Sequence, residues 1–230
     1  MKGHLHPVTI VNDKIVRFFE QYGFEVLTGP EIETEEYNFD KLNIPADHPA
    51  RDIHDTFYLE DGRVLRTHTS PMQIRAMEDR QPPVRLLILG RTYRQEATDA
   101  THETTFSQIE GLVIDENINL ENLLGMLEEM VKAILPFETK VNFRPSYFPF
   151  VEPGLEIDIK KDDKWLEVLG EGMVHPKVLQ NMNVDPTKFQ GFAFGLGLER
   201  FISLIYNVSD IRLNLSGDYR YLGQFNENIH

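Results

Sequence analysis

Two segments of the chain repeat apolar residues at the spacing of an amphipathic helix. The first segment carries them at Ile10, Val11, Ile15, Val16 and Phe19. The second segment carries them at Leu120, Leu124, Leu127, Val131 and Ile134. Residues three and four apart share one face of a helix, so both patterns predict helices that pack on the core. Gly23 marks the end of the first helix, while Asn119 caps the second and Pro136 follows its end.

Shorter runs rich in β-formers predict strands between and after these helices. Asp61-Gly62 is a hairpin signal between residues 57–60 and 63–66. The other predicted strands cover residues 86–89, 91–96, 104–115, 141–144, 155–160 and 165–170. Strands joined by short turns, with helices grouped outside them, predict an α+β fold with a mainly antiparallel sheet flanked by helices. No repeat, low-complexity tract or linker interrupts residues 1–230, which favours a single domain.

Composition and charge narrow the classes of function. A net charge of −14 repels a polyanion, so we expect chemistry on small molecules, with only the tip of a nucleic acid reaching in. The chain has no cysteine, which excludes disulfides, thiolate zinc sites and cysteine nucleophiles. No run approaches the roughly 20 apolar residues of a membrane helix, and the N-terminus has no signal-peptide pattern, so we expect a cytoplasmic protein without membrane contact.

Residues 90–112, GRTYRQEATDATHETTFSQIEGL, predict a strand, a polar loop and a returning strand. Polar and aromatic side chains alternate on both strands and would share one sheet face, with a histidine in the loop. They are Arg94, Glu96, His102, Phe106, Gln108 and Glu110. Arginine binds phosphate or carboxylate through two parallel hydrogen bonds, and a phenyl ring offers a surface for a purine. Any single residue here is better explained as solvated strand surface, but the whole alternation favours a functional site.

Two further segments predict helix starts beside possible binding groups. In residues 191–206, Gly195 and Gly197 permit close backbone approach, and Glu199-Arg200 open an apolar helix. The segment is neither a P-loop nor a dinucleotide fingerprint, and the glycine pair alone is weak evidence. In residues 66–75, Ser70 and Pro71 predict an N-cap and a first helical turn, where polar groups can surround a small zwitterion.

Two later features leave structural and functional interpretations open. Phe148 and Phe150 alternate around Pro149, a pattern more often found in ordinary core, although a proline in a strand indicates an edge or a break where a pocket wall could lie. Asp158 and Glu167 lie on two strands separated by a turn. Their spacing fits magnesium ligands and exposed strand acids equally well.

Taken in order, these segments resemble the three signature motifs of the class II aminoacyl-tRNA synthetases. The motifs would cover about residues 8–31 with Pro30, about 90–112, and about 191–206. Within that class, LRTHTSPMQIR, RPSYFPFVEPG, GMVHPKVL and GFAFGLGLERF are similar to the bacterial phenylalanyl-tRNA synthetase alpha-subunit family. The resemblance implies the class II catalytic fold along nearly the whole chain. It also implies activation of phenylalanine by ATP to phenylalanyl-adenylate, followed by transfer to tRNA.

Carried over residue by residue, the resemblance assigns two catalytic arginines and three groups of ligands. Arg94 would contact the α-phosphate and the amino-acid carboxylate, and Arg200 the γ-phosphate. ATP would also contact Glu96, His102 and Phe106. The amino acid would be surrounded by His68, Ser70, Gln73, Gln108, Glu110, Phe148, Phe150, Val151 and Ala193. By a looser class II analogy, Asp158 and Glu167 would hold Mg²⁺.

The resemblance also implies partners, and the sequence differs from the family in two features. It implies the tRNA acceptor end as a substrate and either a beta subunit in an αβαβ assembly or a homodimer through the first motif. The family's alpha subunit normally begins with a long coiled coil, which this sequence lacks, and Glu171 stands where the family has a small residue or cysteine. A paralogue acting on another amino acid or acceptor remains an alternative. So does a catalytically silent regulatory or binding subunit.

Overall fold

A computed structural model describes residues 4–225 of the chain. Within those residues the strands, β1 to β9, are Glu25–Leu27, Ile32–Glu33, Val64–Leu65, Val84–Tyr93, Thr105–Asp115, Val141–Phe148, Val151–Lys161, Lys164–Val174 and Gln190–Gly197. The helices, α1 to α7, are Pro7–Glu20, Glu35–Asn38, Pro71–Glu78, Leu120–Ile134, Pro176–Asn181, Leu198–Tyr206 and Tyr219–Leu222. Short 3-10 turns lie at Asp40–Leu42, Pro49–Arg51 and Ile211–Leu215.

Seven of the strands form one sheet in the order β1-β4-β5-β9-β8-β7-β6. The β1–β4 pair is parallel, and the other neighbours in this sheet are antiparallel. Strands β2 and β3 pair separately as a small antiparallel ribbon. The predicted α+β fold with a mainly antiparallel sheet is therefore confirmed. No helix in the described residues is long and apolar enough to cross a membrane.

The two helices predicted from apolar spacing form with the expected limits. Helix α1 begins after His6, whose Nδ1 accepts a hydrogen bond from Val8 N, and Gly23 follows it with a φ of 77° that favours glycine. Helix α4 begins with a reciprocal cap in which the side chains of Asn119 and Asn122 each accept the other's backbone N–H. Both helices bury their apolar faces against one side of the sheet.

Several predicted strand limits are wrong, and pairing partners explain the differences. The predicted strands 86–89 and 91–96 are one strand, β4, which ends at Tyr93. Arg94 N still donates to Thr104 O, but Gln95 N donates to Asp55 O, so the ladder with β5 stops there. Arg94 and Glu96 therefore follow the strand and do not belong to it. Strands β6 and β8 run beyond their predicted ends because neighbouring strands offer partners along their whole length.

The predicted hairpin around Asp61-Gly62 is reduced to a turn. Gly62 has a φ of 83°, and Leu59 N donates to Arg63 O, as expected of a tight turn. The arms meet at a Tyr58–Val64 bridge, beside which Leu65 N donates to Phe57 O, and β3 pairs with β2 along its other edge. Pro149 lies between β6 and β7, so the predicted break is confirmed.

The two faces of the sheet pack against different layers. Helices α1, α4 and α6 cover one face, where Phe19 of α1 stacks on Phe194 of β9 with ring centroids 4.9 Å apart. A smaller layer that includes α3 and α5 covers only part of the opposite face. The uncovered part of that face is where the polar residues singled out in the sequence collect.

Candidate active site

Two neighbouring cavities open on the partly covered face of the sheet. The first cavity has a volume of about 540 Å³ and the second about 800 Å³. Both cavities are lined by Arg94, Glu96, Gln108 and Glu167. The first is also lined by His68, Ser70, Gln73, Glu110, Phe148, Phe150, Val151 and Ala193, and the second by His102, Phe106 and Arg200. Of the predicted site residues, only Asp158 lines neither cavity.

A buried carboxyl group organises the polar end of the first cavity. Glu110 is 4% exposed, and its carboxylate accepts hydrogen bonds from Ser70 Oγ at 2.6 Å, Gln73 Nε2 at 2.9 Å and Thr69 N at 3.2 Å. Burial raises the pKa of Glu110, and these donors act in the opposite direction. The three donors stabilise the ionised form of this buried acid. A buried carboxylate in turn suits a bound cation such as an ammonium group.

His68 completes this polar end as a neutral ring. Its Nδ1 lies 2.7 Å from Ser70 Oγ, and its Nε2 lies 3.0 Å from Asn38 O. Burial lowers the pKa of His68 to about 4, so the imidazole is uncharged at neutral pH. The predicted helix start is confirmed, with Ser70 at the N-cap position and Pro71 as the first residue of α3, but the Ser70 hydroxyl makes no cap hydrogen bond and donates to Glu110 instead.

Aromatic rings and bare backbone form the apolar end of the first cavity. The rings of Phe148 and Phe150 lie 5.8 Å apart and nearly parallel, and Phe150 lies 6.1 Å from the His68 ring. Glycines in β8 and β9 leave the sheet uncovered below them. A Cβ at Gly170 would lie 3.0 Å from the Phe148 ring, and one at Gly195 would lie 3.2 Å from Gln108 and Glu110. The glycines therefore let these side chains pack closely against the strands at the floor of the cavity.

Arg94 joins the two cavities. Its guanidinium carbon lies 5.0 Å from the centre of the Phe106 ring, and its Nε donates to Thr67 O at 3.2 Å. Arg200, at the start of α6, donates from Nη1 to Glu167 O at 2.6 Å and faces the second cavity. One arginine thus lies where the cavities meet and another lies in the second cavity. This distribution suits a ligand with several anionic groups.

His102 belongs to a tight loop at the edge of the second cavity. Asp99 Oδ1 accepts hydrogen bonds from Thr101 N at 2.6 Å and from His102 N at 2.8 Å, which folds the loop back on itself. These donors hold the pKa of Asp99 well below its usual range. The His102 ring lies 3.1 Å from the same carboxylate, so its position is set by Asp99.

The proposed magnesium pair, Asp158 and Glu167, faces an arginine. The two acids are opposite one another on β7 and β8. Arg144 Nε donates to Asp158 Oδ2 at 3.3 Å, and Arg144 Nη2 lies 3.7 Å from Glu167 Oε2. Within residues 4–225, no group of three or more histidines, cysteines and acids is arranged to hold a metal ion. As placed, this pair does not fit a metal, and its assignment stays a prediction that the geometry does not favour.

The sequence interpretation missed the role of Glu199. Its carboxylate is 5% exposed and accepts two hydrogen bonds from Ser107 N, at 2.8 and 3.0 Å. Burial raises the pKa of Glu199, and the Ser107 N–H lowers it. This contact fixes the backbone beside Phe106 to the start of α6. The signal in the sequence was an acid at the second position of a mainly apolar helix.

Glu171 lies at the floor of the first cavity, which it helps to line. Gly170 and Gly172, on either side of it in β8, face Phe148 and Val151, so the Glu171 side chain points to the helix-covered face. It is 2% exposed, and neither carboxyl oxygen has a hydrogen-bond partner within the described residues. Burial, followed by repulsion from Glu156 and Asp158, raises the pKa of Glu171 to about 8.

The family model for the tRNA synthetases class II core domain (F) matches residues 1–225. A crystal structure of the pyrrolysyl-tRNA synthetase from Desulfitobacterium hafniense has the same fold, with a TM-score of 0.71. That match covers 97% of this chain and 77% of the other at 22% identity, so it establishes the fold alone. Because the family model covers nearly the whole sequence, the chain belongs to the class II tRNA synthetases.

Curated relatives narrow the class to one branch. The chain is 52% identical over 225 residues to the phenylalanine–tRNA ligase alpha subunit of Coxiella burnetii (strain Dugway 5J108-111), a match that covers 97% of this chain and 68% of that protein. It is also 52% identical to the protein of that name from Psychrobacter arcticus (strain DSM 17307 / VKM B-2377 / 273-4), covering 97% and 64%. The resemblance to the phenylalanyl-tRNA synthetase alpha-subunit family is thus confirmed.

Proposed function

We propose that this chain activates phenylalanine with ATP, forming phenylalanyl-adenylate and pyrophosphate, and then transfers phenylalanine to the acceptor end of tRNA(Phe). The observation that carries the proposal is the meeting of the two cavities at Arg94. One cavity combines a buried acid with aromatic walls, and the other combines an exposed arginine with an aromatic ring. The names of the relatives that are 52% identical support phenylalanine and tRNA as substrates.

The chemistry needs positioning and charge neutralisation more than proton transfer. The attacking amino-acid carboxylate is already ionised at neutral pH, so no general base is required. Arg94, between the cavities, would bind this carboxylate and the α-phosphate together and offset the charge that grows on phosphorus. Arg200 and His102 would bind the outer phosphates in the second cavity. Mg²⁺ that enters with ATP would supply further neutralisation of the phosphates.

Each remaining group of predicted residues has a matching part of a ligand. Glu110, with Ser70, Gln73 and Gln108, would bind the ammonium and orient the amino acid. Phe148, Phe150 and Val151 would pack around the substrate ring, each aromatic pair contributing about 0.5–1.5 kcal/mol beyond burial. Phe106 would stack on adenine and Glu96 would bind the adenine amino group. The half-buried Ala193 would set the depth of the pocket.

The negative net charge of the chain bears on how tRNA is held. With a net charge of −14, it offers little attraction for tRNA, so we propose that a beta subunit in an αβαβ assembly supplies most of the tRNA contacts. A homodimer through the first motif is the other arrangement that the resemblance implies. Charging of tRNA takes place in the cytoplasm, which we propose as the location of the chain.

ATP–pyrophosphate exchange across the twenty amino acids tests the function. We expect exchange with phenylalanine alone, from the chain by itself or co-purified with its beta subunit. Exchange with another amino acid would identify a paralogue of different specificity. No exchange in the presence of the partner would identify a silent subunit and overturn the proposal.

Replacing Ala193 by glycine should widen the specificity of the pocket. Ala193 lies on β9 opposite Gly172 and lines the first cavity, so removing its methyl group deepens the cavity at that point. One methyl group is worth roughly 1–3 kcal/mol of discrimination, so kcat/KM for para-chlorophenylalanine should rise at least tenfold. The same exchange assay measures kcat/KM for the analogue, with Ala133→Gly on the exposed side of α4 as the control. Unchanged selectivity would mean that Ala193 does not bound the substrate ring.

A further inference from the structure

Arg66 is a buried cation to which sequence reasoning assigned no role. It is 2% exposed and is the largest of the fully buried side chains. Its Nε donates to Arg91 O at 2.8 Å, and its Nη1 donates to Gly29 O and Pro30 O, both at 3.1 Å. A buried guanidinium with this many backbone partners links the turn before β2 to strand β4.

The backbone around Arg66 leads directly to Arg94. Tyr93 N donates to Arg66 O at 2.9 Å, and Arg66 N donates to Glu31 O at 2.9 Å. The next carbonyl, Thr67 O, accepts the Nε of Arg94 at 3.2 Å. Arg94 follows the end of β4, where the ladder stops, so regular strand pairing does not fix its side chain. Its hydrogen bond to Thr67 O therefore depends on a segment that Arg66 anchors.

We propose that Arg66 is a positioning residue for the activation reaction: it fixes the Thr67 carbonyl that orients Arg94, and it places a permanent positive charge over Gly90, which pairs with Gln108 two residues before Glu110. This role rests on the proposed function, because it acts through the two residues assigned to the carboxylate and the ammonium of the amino acid. The guanidinium itself is buried behind them and touches no substrate. Its loss would therefore alter the rate and its pH dependence, and not only the stability of the fold.

The charges around Glu110 support the electrostatic half of the role. Arg66 and Glu110 attract one another, and Arg66 lowers the pKa of the buried carboxyl against the larger effect of burial. Arg94 also interacts with Glu110, and the neutral His68 lies next to it through Ser70. Without the Arg66 charge, the pKa of Glu110 rises further. A larger fraction of Glu110 is then protonated at a given pH and binds ammonium less well.

Two substitutions at Arg66 separate geometry from charge. Arg66→Lys keeps the charge but loses the planar fork, so kcat for phenylalanine-dependent exchange should fall on the order of 100-fold, as expected for a displaced catalytic group. The pH profile of KM for phenylalanine should stay in place. Arg66→Met should lose rate as well and move the acidic limb of that profile upward by about one pH unit. Each rate is divided by the concentration of active sites, which is taken from the amplitude of the adenylate burst. Protein lost by unfolding therefore does not lower the reported kcat.

Gly90→Ala perturbs Arg66 without changing it. A Cβ at Gly90 would lie 1.8 Å from Arg66 Nη2, so the guanidinium must move. We expect the Arg66→Lys phenotype together with weaker ATP binding by calorimetry, which requires no turnover. Gly125→Ala on α4, where a Cβ meets nothing within 4 Å, is the matched control. It should leave the exchange rate and the ATP affinity unchanged.

The outcomes distinguish this role from the proposed function. A wild-type protein that exchanges no phenylalanine would refute the function, while ATP affinity in Gly90→Ala would still report on Arg94. Wild-type kcat per active site in both Arg66→Lys and Gly90→Ala, with unchanged ATP affinity, would overturn the positioning role. Lower melting temperatures alone would mean that Arg66 only stabilises the fold.

Discussion

Arg94→Ala should slow phenylalanyl-adenylate formation by a factor of about 10²–10³, roughly 3–4 kcal/mol in the activation barrier. Arg94 is the arginine that lines both cavities in the described part of the chain, and its guanidinium carbon lies 5.0 Å from the Phe106 ring centre. In the proposed arrangement, removing it would leave the amino-acid carboxylate and the α-phosphate without a shared cation. Single-turnover measurement of adenylate at saturating phenylalanine and ATP isolates this chemical step.

Arg85→Ala is the matched control for this prediction. Arg85 lies near the start of β4, the strand that Arg94 follows; it is exposed, donates to Tyr22 O and lines neither cavity. Its loss should change the adenylation rate by less than about twofold, as is usual for a surface substitution. A near-normal rate in Arg94→Ala would show that the charge between the cavities is not what promotes the reaction.

Glu171→Met should raise the free energy of unfolding by roughly 3 kcal/mol at pH 7. The Glu171 carboxyl is buried without a partner, and its pKa in the fold is about 8 against an ordinary value of 4.5. At pH 7 ionisation of this group lowers the free energy of the unfolded chain, while the folded protein keeps the group protonated. Methionine has a similar length and no charge, so it removes this difference. Urea unfolding at pH 7 measures the change.

The same group predicts the direction of the pH dependence. Because the folded pKa of Glu171 is raised, the stability associated with its protonated form is fully present below pH 4.5. It is lost as the pH rises through about 8. Wild-type protein should therefore lose stability across this window, and Glu171→Met should lose less. Glu116→Met, at an exposed position, should reproduce the wild-type slope. An unchanged slope in Glu171→Met would mean that the carboxyl finds a partner in solution.

Much of the fold could be predicted because local patterns set it. The apolar spacing in α1 and α4 and the Asn119 cap fixed both helices to within a residue or two, since capping and periodicity are properties of neighbouring residues. The ends of the strands were harder to predict from the sequence. Strand β4 continues through Gly90 because β5 pairs with it on both sides of that glycine, and it stops at Tyr93 because Asp55 takes over the next N–H.

Candidate site residues were predictable where a motif carried them and not where distant segments meet. Gln108 and Glu110 could be placed on one face from their spacing alone. The Glu199 contact joins residues 92 positions apart, and the Arg66 contacts span 25 to 37 positions, so neither leaves a local pattern. The outward or inward direction of Glu171 depends on the faces of β7 and β9, which single-strand reasoning cannot fix.

The bare glycine floor of the first cavity limits how its specificity can change. Gly170 and Gly195 lie in β8 and β9, strands that are paired on both sides, so the peptide planes beneath the ligand cannot retreat or advance. New shapes of substrate must then be accommodated by adding or removing side-chain carbons on a rigid base. Evolution of this pocket would therefore proceed in discrete methyl-sized steps, and a residue larger than glycine at either position would collide with Phe148, or with Gln108 and Glu110, before it could recognise a new ligand.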